Sequence, residues 1–260
     1  MTAIGVLGVG TIAQALIRGF CTEKESAEQL HFYLSPRNAQ RAAALAEEFP
    51  EQITVCGDNQ AVVDAAEWVM LTVLPRDAET VLAPLTFRPE QKILTIMSDH
   101  PVERVLSWTG PVEKIVRMVP LPFAAMHIGP IAIYPEDAEI RTMFEPLGSV
   151  IAVEQQNELS VISAQTAIMS AFYYLIHETT EWGVGKGLPR EASLNYMTSF
   201  FEALAIKARQ AENGDVYALA YEMTPGGLNE MTMKNILGRD GFAIWKDALD
   251  AVWDRLSRKN

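Results

Sequence analysis

The hydrophobic rhythm of this chain changes once, near residue 154, and that change limits the folds open to it. Before it, short β-branched and apolar runs recur: "AIGVLG", "HFYLS", "WVMLTVL", "KILTIM", "EKIVRMV", "PIAIY" and "SVIAVE". Helix-like stretches or loops separate them. Strand–helix alternation predicts a mostly parallel sheet covered on both faces. After Glu154 the strand signal is gone. "NELSVISAQTAIMSAFYYLIHETTEWGV" carries apolar residues at helical spacing for about seven turns. Further helical segments follow in "REASLNYMTSFFEALAIKARQAEN", "DVYALAYEM", "LNEMTMKNIL" and "GFAIWKDALDAVWDRLSRK". The pattern predicts an α/β domain over residues 1–154 and an all-α domain over residues 155–260.

Composition removes several function classes. The chain has 260 residues, 49% of them hydrophobic, which suits one large domain or two modest ones. No uninterrupted run of about 18 apolar residues is present, so no membrane span is expected. The N-terminus enters a strand-like run without a basic stretch before it, so no signal peptide is expected. Cys21 and Cys56 are the only cysteines. They make neither a disulfide framework nor a metal site by spacing, and they fit a reducing cytoplasm. A formal net charge of −12 argues against nonspecific nucleic-acid binding.

The sharpest local signal is "AIGVLGVGTIAQALIRGF". Strand residues Ile4 to Leu7 run into Gly8-x-Gly10-x-x-Ala13, and an apolar helix follows. The first glycine allows a tight turn, the second lets a pyrophosphate approach the backbone, and a small third residue lets helix and strand pack closely. The phosphates then sit on the positive end of a helix starting near Thr11 and Ile12. This predicts a Rossmann-type dinucleotide site. The end of the next strand selects the cofactor. NAD sites place an acid there, whereas NADP sites use a nearby Arg. Here "HFYLSPRNAQR" offers Ser35, Arg37 and Asn38 and no acid, so NADP(H) is expected. The alternative for Arg37 is a solvated charge at a helix start. Arg41, one turn on, is read first as surface, with help to Arg37 as the alternative. Asn59 in "CGDNQAVV" and Val73 and Leu74 in "LTVLP" fall at predicted carboxyl ends of strands, where ligands bind in open sheets. Asn59 has a second, equal reading as the cap of a helix starting at Gln60.

With these residues in place the chain resembles the pyrroline-5-carboxylate reductases, the NADPH-dependent enzymes that close proline synthesis. The resemblance runs nearly end to end, through "IGVLGVGTIAQALIRGF", "SPRNAQR", "VRMVP" with Gly129 downstream, "WGVGKGLPREA", "TPGGLNE" and "RDGFAIWKDALDAVWDRL". It implies a Rossmann domain followed by a helical domain that interleaves with a second subunit. It also implies an active site where the nicotinamide meets the partner's helices, and hydride transfer to the C=N carbon of a small cyclic imine carrying a carboxylate. The departures fall at the substrate end. Where the family typically reads "MPNTP" this chain has "VPLPF", with Leu121 and Pro122 for Asn and Thr. "QTAIMS", Gln165 to Ser170, replaces a Ser-Gly-Ser-Gly-Pro-Ala stretch. Val73-Leu74-Pro75 replaces "VKP". "TPGGLN" replaces "SPGGTT", so the polar residue offered to the imine is Asn229. Losing the match to a hydrogen-bonding substrate group costs factors of about 10⁴ in discrimination. A reductase of this family with a substrate other than pyrroline-5-carboxylate is expected, with a divergent proline enzyme as the main competitor.

Hydride transfer to an imine needs a hydrogen-bonded or protonated nitrogen, an anchored substrate and exclusion of water. Ser98, Asp99 and His100 follow "KILTIM" and are one source. Asp99 has a second reading as the cap of a helix beginning at Pro101. In the long helix, Gln165 and Tyr173 share a face with Met169 at i, i+4 and i+8. His127 is a further candidate. In the turn, Thr224, Gly226, Gly227 and Asn229 offer N–H groups and side chains at a helix start, which suits a carboxylate. Glu230 can instead serve as a first-turn acid.

Two rivals remain. A β-hydroxyacid dehydrogenase would use a lysine in the long helix, but residues 115–185 contain none. A catalytically silent NADPH-binding sensor would keep the cofactor residues alone. Finally, the long helix is apolar on more than one face, with Ile162, Ile168, Met169, Phe172, Leu175 and Ile176 beside Val161, Ala164 and Ala171. It is either a subunit interface, giving a homodimer, or the centre of a monomeric bundle.

Overall fold

The computed structural model describes residues 1–97 and 100–257. The first unit holds β1 (Thr2–Leu7), α1 (Thr11–Thr22), α2 (Lys24–Gln29), β2 (Leu30–Leu34), α3 (Ala39–Glu48), β3 (Ile53–Val55), α4 (Asn59–Ala65) and β4 (Trp68–Leu71). It continues through α5 (Ala78–Leu82), β5 (Lys92–Thr95), α6 (Val102–Thr109), β6 (Lys114–Val119), β7 (Pro130–Tyr134), α7 (Ala138–Phe144) and β8 (Ser149–Ala152). The strands form one sheet in the order β3-β2-β1-β4-β5-β6-β7-β8. All neighbours are parallel except β6 and β7, which run antiparallel with Met118 opposite Ile133. The seven apolar runs of the sequence become eight strands. The additional one, β3, has three residues with only Ile53 buried, too short to show a period.

Burial on both faces explains the continuous apolar runs. Alternate residues of β1 enter opposite layers. Ile4 and Val6 join Leu16, Phe20, Phe32 and Phe144 on one side. Leu7 joins Val62, Val69, Leu71 and Leu82 on the other. At about 25 cal/mol per Å² of apolar surface, such layers dominate the stability of the unit. Helix α1 sits close to the short 3₁₀ turn Pro122–Met126, because a Cβ at Gly19 would stand 2.5 Å from the carbonyl oxygen of Ala124. At the amino ends of the strands, Lys92 and Lys114 lie over the Trp68 ring and bind Glu139, and Lys114 also binds Asp137 at 2.6 Å.

The chain divides into two compact units, one of residues Met1–Ser163 with the last residues from Leu256, the other Ala164–Arg255. The helices are α8 (Glu158–Thr166), α9 (Met169–Gly185), α10 (Arg190–Arg209), α11 (Val216–Tyr221), α12 (Leu228–Leu237) and α13 (Ala243–Ser257). The single long helix expected over residues 157–184 is therefore two. The N–H groups of Ala167 and Ile168 bond three residues back, to Ala164 and Gln165, which tightens the chain into a turn between α8 and α9. Glu158–Gly185 is nevertheless long and apolar enough, at a mean hydropathy of 1.5, to cross a membrane by length and composition. Glu178 and Glu181 interrupt its second half, and an apolar helix that packs on protein has the same composition.

The second unit buries little. Between Ala164 and Arg255 only Ala164, Thr180, Gly183 and Ser193 are buried. Phe172, Tyr173, Leu175, Trp182, Phe200 and Leu204 are all exposed, so α9 is not the buried centre of a bundle within one chain.

Candidate functional site

The strand order reverses on either side of β1, with β2 beside it on one edge and β4 on the other. Connections leave in opposite directions there, and a crevice opens beyond the carboxyl ends of the strands. Its floor is the turn after β1. Gly8 takes φ +102°, and a Cβ there would lie 3.0 Å from the Thr72 carbonyl and the Val73 nitrogen. The position is closed to any other residue by conformation and by space. Thr72 fixes the turn, its N–H donating to Leu7 at 3.0 Å and its hydroxyl donating to Gly8. Gly10 is the opposite case, with no atom within 4 Å of where a Cβ would stand. Its smallness leaves room in front of α1. No side chain caps α1 and no acid lies in its first turn. The positive end of the helix dipole is thus bare toward the crevice.

The far end is polar. Ser35 is buried and donates from Oγ to Asn59 Oδ1 at 2.6 Å. Helix α4 is capped by Asp58, which accepts the Ala61 N–H at 2.8 Å. Capping is therefore not the role of Asn59, the first helical residue, whose side chain faces Ser35. Arg37, Asn38 and Arg41 stand beside them. Together these groups line a cleft of about 410 Å³ that also takes in Gly8, Gly10, Thr11, Val73 and Leu74. Ile12 and Ala13 do not line it. Ala13 is fully buried and Ile12 packs on the same core, so their side chains hold α1 against the sheet. The cleft also takes in Arg41, for which the surface was the first reading, Thr72 of the "LTVLP" stretch, and Asp77, Val81 and Val9, which the sequence did not single out. Arg41 lies one turn beyond Arg37, which was its only signal. A dinucleotide with an extra phosphate fits this donor set: bare N–H groups at one end, and at the other the Asn38 side chain and two guanidinium groups.

The remaining candidates are dispersed. His100 has its Nε2 2.9 Å from the Pro75 carbonyl oxygen, which only accepts, so Nε2 carries the proton. Its ring stands edge-on to Trp108 at 5.0 Å. Ser98 and Asp99 lie outside the described residues. The N–H of Val102, at the start of α6, is accepted by Gln156 at 2.7 Å. His127 adopts φ 60° and bonds the Thr22 hydroxyl at 3.0 Å, tying the turn after β6 to α1.

Gln165, Thr224 and Asn229 belong to the helical unit and are exposed. Because the turn at Ala167–Ile168 separates Gln165 from Met169 and Tyr173, helical spacing no longer places the three on one face. Tyr173 and His177 instead line a pocket of about 230 Å³ with Thr180, Glu181 and Arg190. Thr224-Pro225-Gly226-Gly227 forms a β-turn of type II, closed by the Gly227 N–H on the Thr224 carbonyl at 2.9 Å, with Gly226 at φ +76°. The Gly226 N–H donates to Glu230 at 2.5 Å, and Lys234 binds the same carboxylate at 2.6 Å. Lys234 and that N–H hold the Glu230 carboxyl below its usual range. The turn's own acid therefore takes one of the N–H groups that a substrate carboxylate would use.

Residues 3–98 match the family model described as "NADP oxidoreductase coenzyme F420-dependent". The pyrroline-5-carboxylate reductase of Pseudomonas aeruginosa is 25% identical, covering 97% of this chain and 94% of that protein. Among solved structures, 1-pyrroline-5-carboxylate reductase from Streptococcus pyogenes superposes with a TM-score of 0.82 at 21% identity, over 98% of this chain and 97% of that one. The Plasmodium falciparum pyrroline carboxylate reductase with NADP bound gives a TM-score of 0.80 at 16% identity, over 99% and 98%.

Proposed function

We infer that this chain, a member of the pyrroline-5-carboxylate reductase family, is an NADPH-dependent oxidoreductase that reduces the C=N bond of a small imine. The cleft at the β1–β4 switch point carries this reading, with its open glycine turn at one end and Ser35, Arg37 and Arg41 at the other. NADPH, when bound, supplies the hydride. The chain's own residues bind and orient. Gly10, Thr11 and the start of α1 receive the pyrophosphate, and Ser35, Arg37 and Arg41 receive the 2′-phosphate. Asn59, Val73 and Leu74 flank the remainder.

On the substrate side we assign hydrogen bonding of the imine nitrogen to Asn229, with Thr224 and Gln165 as further donors. His100 keeps Nδ1 for proton exchange, since Nε2 is held by Pro75. The substrate is a cyclic, carboxylate-bearing imine other than pyrroline-5-carboxylate. Leu121 and Pro122 support this, because they remove the polar side chains the family presents after the sixth strand. A homodimer joined through the helical unit is part of the same proposal, supported by the exposed apolar residues of α9 and α10. We place the protein in the cytoplasm. Both cysteines are free, and burial pushes the Cys21 thiol up to about 12, which leaves it inert at neutral pH.

The test is NADPH oxidation by the full chain against a panel of cyclic imines that includes pyrroline-5-carboxylate. Turnover of order 10 s⁻¹ is expected on another member of the panel, with pyrroline-5-carboxylate at least about a hundredfold poorer. Full turnover on pyrroline-5-carboxylate would refute the substrate assignment. Tight NADPH binding with no turnover on any imine would replace the reductase with a sensor.

A further inference from the structure

Arg37 already has an anion. Its Nη2 donates to Asp77 Oδ2 at 3.0 Å, across 40 positions of sequence. Arg37 follows β2 and Asp77 follows β4, the strands on either side of β1, so the pair joins the two lips of the cleft. Asp77 closes a 3₁₀ turn, Pro75–Asp77, and enters α5 in helical conformation (φ −100°, ψ −7°) rather than the extended one of a capping residue, and its side chain makes no cap hydrogen bond. Its carboxylate is turned to the cleft instead. The Asp77 side chain is 28% exposed and that of Arg37 57%, so the acid is the more enclosed member of the pair. Among the described residues it is also the one acidic side chain lining this cleft.

We propose that Asp77 is a specificity-determining latch: it holds Arg37 while no phosphate is present and must release it when the 2′-phosphate of NADPH takes the guanidinium. The inference rests on the reading of Arg37 as the phosphate ligand. NADPH binding breaks an ion pair and sets a carboxylate beside a phosphate. NADH binding does neither. The carboxylate thereby narrows the margin between the two cofactors that Ser35, Arg37 and Arg41 create. On release, Asp77 keeps a second cation, Arg76, whose Nε is 3.9 Å from Oδ1.

The test is equilibrium binding of NADPH and of NADH to the wild type, Asp77→Asn, Arg37→Ala and the double variant, with thermal melting to confirm folding. Asp77→Asn tightens NADPH about fivefold and leaves NADH within about twofold, as expected for loss of one partly exposed ion pair and a nearby like charge. In the Arg37→Ala background the gain from Asp77→Asn falls to about twofold or less. The wild-type preference for NADPH also grows less with Asp77→Asn at high salt, where both terms are screened. Weaker NADPH binding by a folded Asp77→Asn would overturn the latch and make Asp77 a residue that positions Arg37. Equal changes for both cofactors would overturn it too. A wild type with no NADPH preference, unmoved by Arg37→Ala, would overturn the reading of Arg37 itself.

Discussion

The two units differ in where they put their apolar side chains. In the α/β unit, Ile4, Val6, Leu16 and Phe32 are 0–1% exposed, and the sheet separates two filled layers. In the helical unit, Trp182 is 69% exposed, Tyr217 73% and Leu228 78%. In the homodimer proposed above, such side chains are the ones a second copy covers. The first unit closes its own core with one copy of the chain. The second has the composition of a core and the exposure of an interface. An amphipathic pattern says which residues seek burial, not which chain supplies the cover.

The largest test of this contrast is to charge the exposed face. Leu175→Glu combined with Phe200→Glu is expected to convert a dimer into a monomer in sedimentation. Burying unpaired carboxylates costs several kcal/mol, of order 3–5 for a broken buried pair. A wild type that sediments as a monomer at micromolar concentration would break the comparison, leaving the helical unit exposed by design.

A smaller effect separates binding from folding in the α/β unit. The Gly10 site is open, so Gly10→Val is expected to leave the melting temperature within about 2 °C, since surface changes lie within about 0.5 kcal/mol. It should weaken NADPH at least about tenfold by filling the space the pyrophosphate needs. A folded variant with unchanged NADPH affinity would remove the cofactor from this turn.

The smallest effect lies at the other end of the sheet, around Lys92, Lys114, Asp137 and Glu139. Burial works to raise both carboxyl groups, but Lys92 and Lys114 outweigh it at Glu139, and Lys114 with the Ile140 and Glu139 N–H groups outweighs it at Asp137, so both lie below their ordinary values. A carboxylate with a depressed folded pKa stabilises the fold above its unfolded value, near pH 4, and loses that contribution as pH falls through the folded value. Stability should therefore fall on acidification below about pH 4. Glu139→Gln should flatten that fall while costing under about 1 kcal/mol at neutral pH, because Glu139 is 41% exposed. Thermal melts from pH 7 to 3 read both effects. An unchanged acid limb would exclude Glu139 from it.

Legibility followed local chemistry. The turn after β1 was legible because each of its constraints is local: a strand, a left-handed glycine at Gly8, an open one at Gly10, a helix. Ser35 and Arg37 were legible because they follow the strand end directly. Strand β3 was not, because three residues with one buried side chain carry no period. The break between α8 and α9 was not either, since "QTAIMS" contains neither glycine nor proline, and that is why a shared face for Gln165 and Tyr173 was expected. Nor did spacing show that Asp58, not Asn59, caps α4, because either side chain can serve at that boundary.

What the sequence determined by itself was the alternation that makes the sheet, the glycine turn that leaves the start of α1 open, and the absence of an acid after β2. These are properties of neighbouring residues, governed by backbone sterics and burial of adjacent side chains. Tertiary structure decided that Arg37 meets Asp77 and that Ser35 holds Asn59. Ion pairs and hydrogen bonds across distant segments depend on where the sheet brings strand ends together. Parallel order places β2 and β4 on either side of β1, and so joins two residues that no local pattern relates.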